Sequence, residues 1–231
     1  MPINIGTSPT IATGDDSSTV ATSSFSTVSG SLLVAMVMAL SDSVPTLTGG
    51  SLTWTRRVQQ IRYDSFYNEI WTAPVVTGAA TTVTVGNLTG SDRLAAVKVD
   101  LVTGQGISPI GNFGSGESTT NNATVNAYTS SAAGSRGFCA SADLMGLGSP
   151  ASTDDESAWS INTGFFTFSG MAIRKAADTP SSGATVTFNL DAAGTDAPDW
   201  GWAALEILPA VEARPVRSTA VGQAVSRAAV I

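Results

Sequence analysis

The chain has no histidine. That absence removes the commonest general base, the usual zinc ligand and the usual partner of a serine nucleophile. A single cysteine, Cys139, permits neither an internal disulfide nor a cysteine-based metal site. Charged residues are scarce, at 13% of 231 residues, where about a quarter is usual. The longest apolar run, residues 32–40, is about half what a bilayer-spanning helix needs. The start of the chain lacks the basic and apolar regions of a signal peptide, so synthesis in a cytoplasm is expected. A net charge of −7 argues against a nucleic-acid surface.

Thr, Ser, Ala, Gly and Val fill the space left by charge. β-Branched residues suit a pleated surface, and Gly and Ser suit its corners. No stretch of a dozen residues holds a helical period with caps at both ends. Short strands with Gly, Pro, Asn and Asp punctuation predict one all-β domain over residues 1–210, a jelly-roll-like sandwich of two antiparallel sheets. Residues 31–40 read as a central strand, apolar on both faces. Residues 41–50, 104–120 and 144–157 read as loops.

The run 199–210 organises the rest. Ala203, Leu205 and Ile207 alternate onto a core face, and Trp200, Trp202, Ala204 and Glu206 onto an amphipathic one. Pro209 cannot donate to a ladder and ends the strand. Residues 211–231 show no core pattern and read as an extended arm. Arg214, Arg217 and Arg227 make it locally basic against Glu212 alone, and Val216, Val221, Val225 and Ile231 supply apolar anchors. Such an arm suits a neighbouring subunit's sheet edge or acidic face.

Four matches, in order and about a hundred residues apart, suggest an internal repeat. They pair Ser29-Gly30-Ser31 with Ala133-Gly134-Ser135 and Leu52-Thr53-Trp54 with Ser157-Ala158-Trp159. They also pair residues 82–85 with 185–188 and residues 93–99 with 201–207.

Candidate chemistry is sparse. Acidic clusters (Asp15-Asp16, Asp154-Asp155-Glu156, and Asp191, Asp196 and Asp199) lack a calcium-loop pattern and read as solvated loop charge. Glu69 and Glu206 lie among aromatics where a sugar could stack, so hydrolysis by paired carboxylates or plain glycan contact through Trp71, Trp200 and Trp202 can be framed. Lys98 and Lys175 sit outside any Ser-x-x-Lys motif. The glycines at 104–106 and 111–116 lack a strand–loop–helix setting for phosphate. Cys139 reads as a small buried hydrophobe. These patterns point to no enzyme, cofactor or metal.

Residues 30–35, 52–55, 69–74, 82–85 and 203–210 resemble small β-sandwich structural proteins of tailed bacteriophages, in particular minor tail proteins of phages of actinobacterial hosts. The resemblance spans residues 28–210 and carries no catalytic residue. It implies a non-enzymatic virion protein, made in the host cytoplasm and held to other tail or capsid subunits in a symmetric or homo-oligomeric assembly. Alternatives are a capsid decoration protein of the same fold and a host-recognition module binding surface glycans. Neither nucleic acid nor membrane insertion is implied.

Overall fold

The structure is a computed structural model, and it describes residues 1–119, 124–144, 154–163, 167–190 and 199–211. The described residues contain strands and no helix, and every pairing is antiparallel. The chain divides into two halves at Gly104.

The first half holds β1 (Asn4–Ile5), β2 (Ala12–Asp15), β3 (Val20–Ala21), β4 (Phe25–Ser26), β5 (Leu32–Leu40), β6 (Thr46–Gly49), β7 (Thr55–Arg62), β8 (Phe66–Pro74), β9 (Ala80–Thr81), β10 (Val83–Gly86) and β11 (Leu94–Thr103). Its large sheet runs β1-β11-β5-β8-β7, with β2 also on β11. A smaller sheet, β3-β10-β6, and the pair β4-β9 back it. The second half holds β12 (Gln105–Ser118), β13 (Thr124–Thr129), β14 (Arg136–Asp143), β15 (Asp155–Asn162), β16 (Thr167–Arg174), β17 (Thr185–Asn189) and β18 (Trp200–Pro209). Its large sheet runs β12-β18-β14-β16-β15, backed by β13-β17.

The two large sheets face each other. Val34, Met36, Met38, Phe66 and Ile70 from the first meet Phe138, Ala140, Phe168, Ala203 and Leu205 from the second in a central core. Outside it, Leu33, Ala35 and Val37 pack against Val20, Leu47, Val83 and Val85 of the first backing sheet. On the far side, Cys139, Ile173, Trp200 and Trp202 pack against Tyr128, Val186 and Phe188 of the second. The expected sandwich of two antiparallel sheets is therefore the middle of a deeper stack. β5 and β18 are apolar on both faces because each lies between two cores, unlike a sheet with one solvated face.

The strand order repeats. Edge strand, last strand, first central strand, second central strand and far edge are β1/β2, β11, β5, β8 and β7 in one half, and β12, β18, β14, β16 and β15 in the other. The entry turns to β5 and β14 repeat as well. Gly30 N donates to Val75 O at 2.8 Å and Val75 N to Ser31 O at 2.9 Å; Gly134 N donates to Thr179 O and Thr179 N to Ser135 O, both at 2.8 Å. Both glycines are left-handed, with φ of 79° and 77°. A Cβ at Gly30 has nothing within 4 Å, and one at Gly134 meets only the Pro209 ring at 3.5 Å. Gly30→Ala and Gly134→Ala should each cost about 1–2 kcal/mol, from backbone strain alone, and by similar amounts in thermal unfolding.

The other matches fare unequally. Val83 and Val85 face one outer core, as Val186 and Phe188 face the other. β11 and β18 are equivalent strands, but the match is three residues out of register. Val34 pairs Asp100, whereas its counterpart Phe138 pairs Leu205, not a residue matched to Asp100. Trp54 and Trp159 are not equivalent: Trp54 packs beside an outer core before β7, and Trp159 lies in the central core.

Two segments expected as loops form strands. β6 occupies Thr46–Gly49, and β12 runs for 14 residues from Gln105. Their Gly, Ser and Thr content reads as loop, yet edge pairing needs only backbone N–H and C=O groups.

Candidate functional site

Trp200 and Trp202 are not surface contacts. β18 carries them under the β13-β17 pair, and their side chains are almost wholly enclosed beside Phe188 and Leu190. The face read as amphipathic is a second core face. Trp71 alone keeps partial exposure. Arg214, Val216, Arg217, Val221, Val225, Arg227 and Ile231 lie outside the described residues, as do Asp191 and Asp196.

Trp71 belongs to a cluster that hairpin β7-β8 assembles. Alternation puts Tyr67, Glu69 and Trp71 on one face of β8. Glu69 is fully buried; its Oε1 accepts from Arg56 at 3.0 Å and from Gln59, and its Oε2 accepts from Trp71 Nε1 at 2.7 Å. The Arg56 guanidinium lies 5.5 Å from the Trp71 ring centre. Burial raises the Glu69 carboxyl above its ordinary range, against the lowering pull of Trp71, Gln59 and Arg56.

Glu206 is equally buried but differently held. Oε1 accepts from Ser130 Oγ at 2.7 Å and Ser131 N at 3.0 Å, and Oε2 from Ser131 Oγ at 2.6 Å and Asn112 N at 2.9 Å. Burial pushes this carboxyl upward, but the hydrogen bonds from Ser131, Ser135, Asn112 N and Ser130 outweigh it and hold it below the ordinary range. Glu69 faces one outer core and Glu206 the other, on opposite sides of two sheets stacked about 10 Å apart. They do not form the carboxylate pair that glycoside cleavage uses.

Both lysines and the carboxylates of Asp16, Asp154 and Asp155 are internally paired. Lys98 binds Pro9 O and Asp100, and Lys175 binds Asp154 and Thr187 O. Asp16 pairs with Arg93, and Asp155 with Arg174. Cys139 is fully enclosed, and burial pushes its thiol well above the ordinary range. Among the described residues no group of acids or cysteine is placed to hold a metal ion, and no helix is long and apolar enough to cross a membrane.

Sequence reasoning missed the polar links across the halves. Arg62 of β7 pairs with Asp199 and donates to Trp200 O at 3.3 Å, while Tyr63 Oη donates to Asp199 at 2.7 Å. Gln60 donates to Glu117 at 2.9 Å. From the other side, Arg174 of β16 donates to the buried Asp100 of β11 at 3.0 Å. No local pattern announces residues that meet only after two sheets stack.

One cleft opens between the halves where they join. It measures about 440 Å³ and is lined by Leu32, Arg57, Pro74 and Val75 of the first half and by Gln105, Ile107 and Pro109 of the second. Ala210 N donates to Gly104 O at 2.8 Å, so the chain leaves β18 at the same junction. Compared with protein families, with curated proteins and with solved structures, the chain matches none.

Proposed function

We propose that this chain is a non-enzymatic structural protein of a tailed-phage virion, a minor tail protein fastened to its neighbours by residues 211–231. The observation that carries this reading is the disposition of polar groups. The two buried glutamates are fully engaged in holding strands and turns together, and they face opposite outer cores. Four stacked layers make a stiff body, and the β18 terminus offers an exit for a basic, valine-bearing segment from an acidic protein. The large-sheet order β1/β2-β11-β5-β8-β7, repeated as β12-β18-β14-β16-β15, with β3-β10-β6 backing the first and β13-β17 the second among the described residues, is what we read as two jelly-roll-like units fused at Gly104.

A head decoration protein of the same fold is the alternative location. Glycan recognition keeps one supporting observation, the partly exposed Trp71 ring under Arg56. Copy number measured by mass spectrometry of purified particles separates the sites: a tail protein is expected at tens of copies or fewer, and head decoration at hundreds. Absence of the chain from particles refutes the virion assignment. Binding on a glycan array that is lost in Trp71→Ala moves the reading to host recognition.

A further inference from the structure

The geometry points to the cleft at Gly104 as the receptor for residues 212–231 of a second copy of this chain, so that two copies exchange arms. The inference rests on the assembly-arm reading and names the surface that receives the arm.

The cleft walls are apolar, from Leu32, Pro74, Val75, Ile107 and Pro109. Ile107, fully exposed, is the aliphatic side chain that this cleft presents to solvent. The cleft also offers backbone-matching groups. Gln105 donates through Nε2 to Gly30 O at 2.7 Å, while its solvent-shielded Oε1 has no donor among the described residues. Arg57 donates through Nε to Thr72 Oγ1 at 2.7 Å and has no carboxylate partner among the described residues. One free acceptor and one guanidinium without a carboxylate partner, beside apolar walls, suit an extended peptide, which brings an N–H, a C=O and an aliphatic side chain.

The edges of the large sheets sharpen the choice. β7 carries Arg56, Arg57 and Arg62, and β15 carries Asp155 and Glu156, charges that deter strand addition. β12 carries no charge from Gln105 to Gly116, and Ile107 and Phe113 stand exposed on it.

The 212–231 segment fits on content and position. With three arginines against one glutamate it is +2 and the rest of the chain is −9, for the total of −7, but the cleft's one charged lining residue is Arg57, so the fit there rests on apolar content and not on charge. It repeats valine at 216, 221, 225 and 230. Its twenty residues reach about 70 Å when extended. Because exit and cleft share one junction, a two-fold axis there sets each arm beside the partner's cleft, an isologous exchange.

The test uses full chains. An Ile107→Cys chain is mixed with Val216→Cys, Val221→Cys or Val225→Cys chains and oxidised; Cys139 is enclosed and stays silent. Covalent heterodimers in at least one mixture are expected. A bond that forms only within a doubly substituted chain, or no bond at all, overturns the proposal. Sedimentation then compares Ile107→Asp with removal of 212–231. Both should weaken self-association at least tenfold, since burial of one isoleucine is lost. If removal dissociates the assembly and Ile107→Asp does not, the cleft is wrong and the arm reading survives. If neither changes self-association, or the chain is monomeric throughout, both fall.

Discussion

Glu206→Gln is expected to destabilise the protein by about 3 kcal/mol and Glu69→Gln by less, although both glutamates are fully buried, because Glu69 has three donors to the four of Glu206 and burial already favours its neutral form. The Glu206 carboxylate receives four donors, from Ser130, Ser131 and Asn112, and an amide can satisfy only those that face its oxygen. At least one buried donor would then confront the amide NH₂. Chemical denaturation at neutral pH measures both costs; equal losses would remove the distinction drawn between the sites.

The two carboxylates also act in opposite directions on the pH dependence. The folded pKa of Glu206 is lowered, so the stability it lends is present above the unfolded value of about 4.3 and is lost as pH falls through the folded value. The folded pKa of Glu69 is raised, so its contribution is fully present below about 4.3 and is lost as pH rises through the folded value. Glu206→Gln should therefore flatten the acid limb of the stability profile. Glu69→Gln should steepen it, because the protonation that favours the folded state is gone. An unchanged acid limb in both variants would mean that other carboxylates set it.

The all-β class was legible because nothing in the chain competes with it: β-branched and small residues alternate and no capped helical period interrupts them. Four short matches in order pointed to the repeat, and the one at Gly30 and Gly134 is kept as a left-handed turn ahead of an apolar strand in both halves. Register was not legible. Matching 93–99 to 201–207 scores small apolar residues, and in a strand between two cores such residues occupy both faces. The same ambiguity hid the fate of Trp200 and Trp202. An aromatic pair followed by glutamate looks like one exposed face, but Glu206 is buried because the turn at Ser130 and Ser131 meets it with donors. The cleft at Gly104 left no trace in sequence, for its walls come from separate parts of the chain; Gln105 and Gly30, bonded across it, lie 75 residues apart.

Phe168→Ala is expected to cost about 3–5 kcal/mol and to show whether the halves unfold as one. Phe168 of β16 is fully buried in the central core, with its ring edge-on to Phe66 of β8 at 5.5 Å and to Trp159 of β15 at 4.8 Å. Phe66 belongs to the first half, so removing Phe168 opens a cavity on the seam between halves, not within one of them. Aromatic edge contacts add about 0.5–1.5 kcal/mol each to the burial term. Around this seam the flanking polar links, Arg62 to Asp199 and Arg174 to Asp100, tie strands of one half to strands of the other. Each half also keeps an outer core of its own, which Phe168 does not touch. If the seam joins the halves into one cooperative unit, Phe168→Ala lowers a single transition seen alike by tryptophan fluorescence and calorimetry. If the outer cores can stand without it, the variant shows two transitions while wild type shows one. A variant that melts as wild type does would mean that the large sheets contribute little by facing each other, and the four-layer stack would lose its central claim.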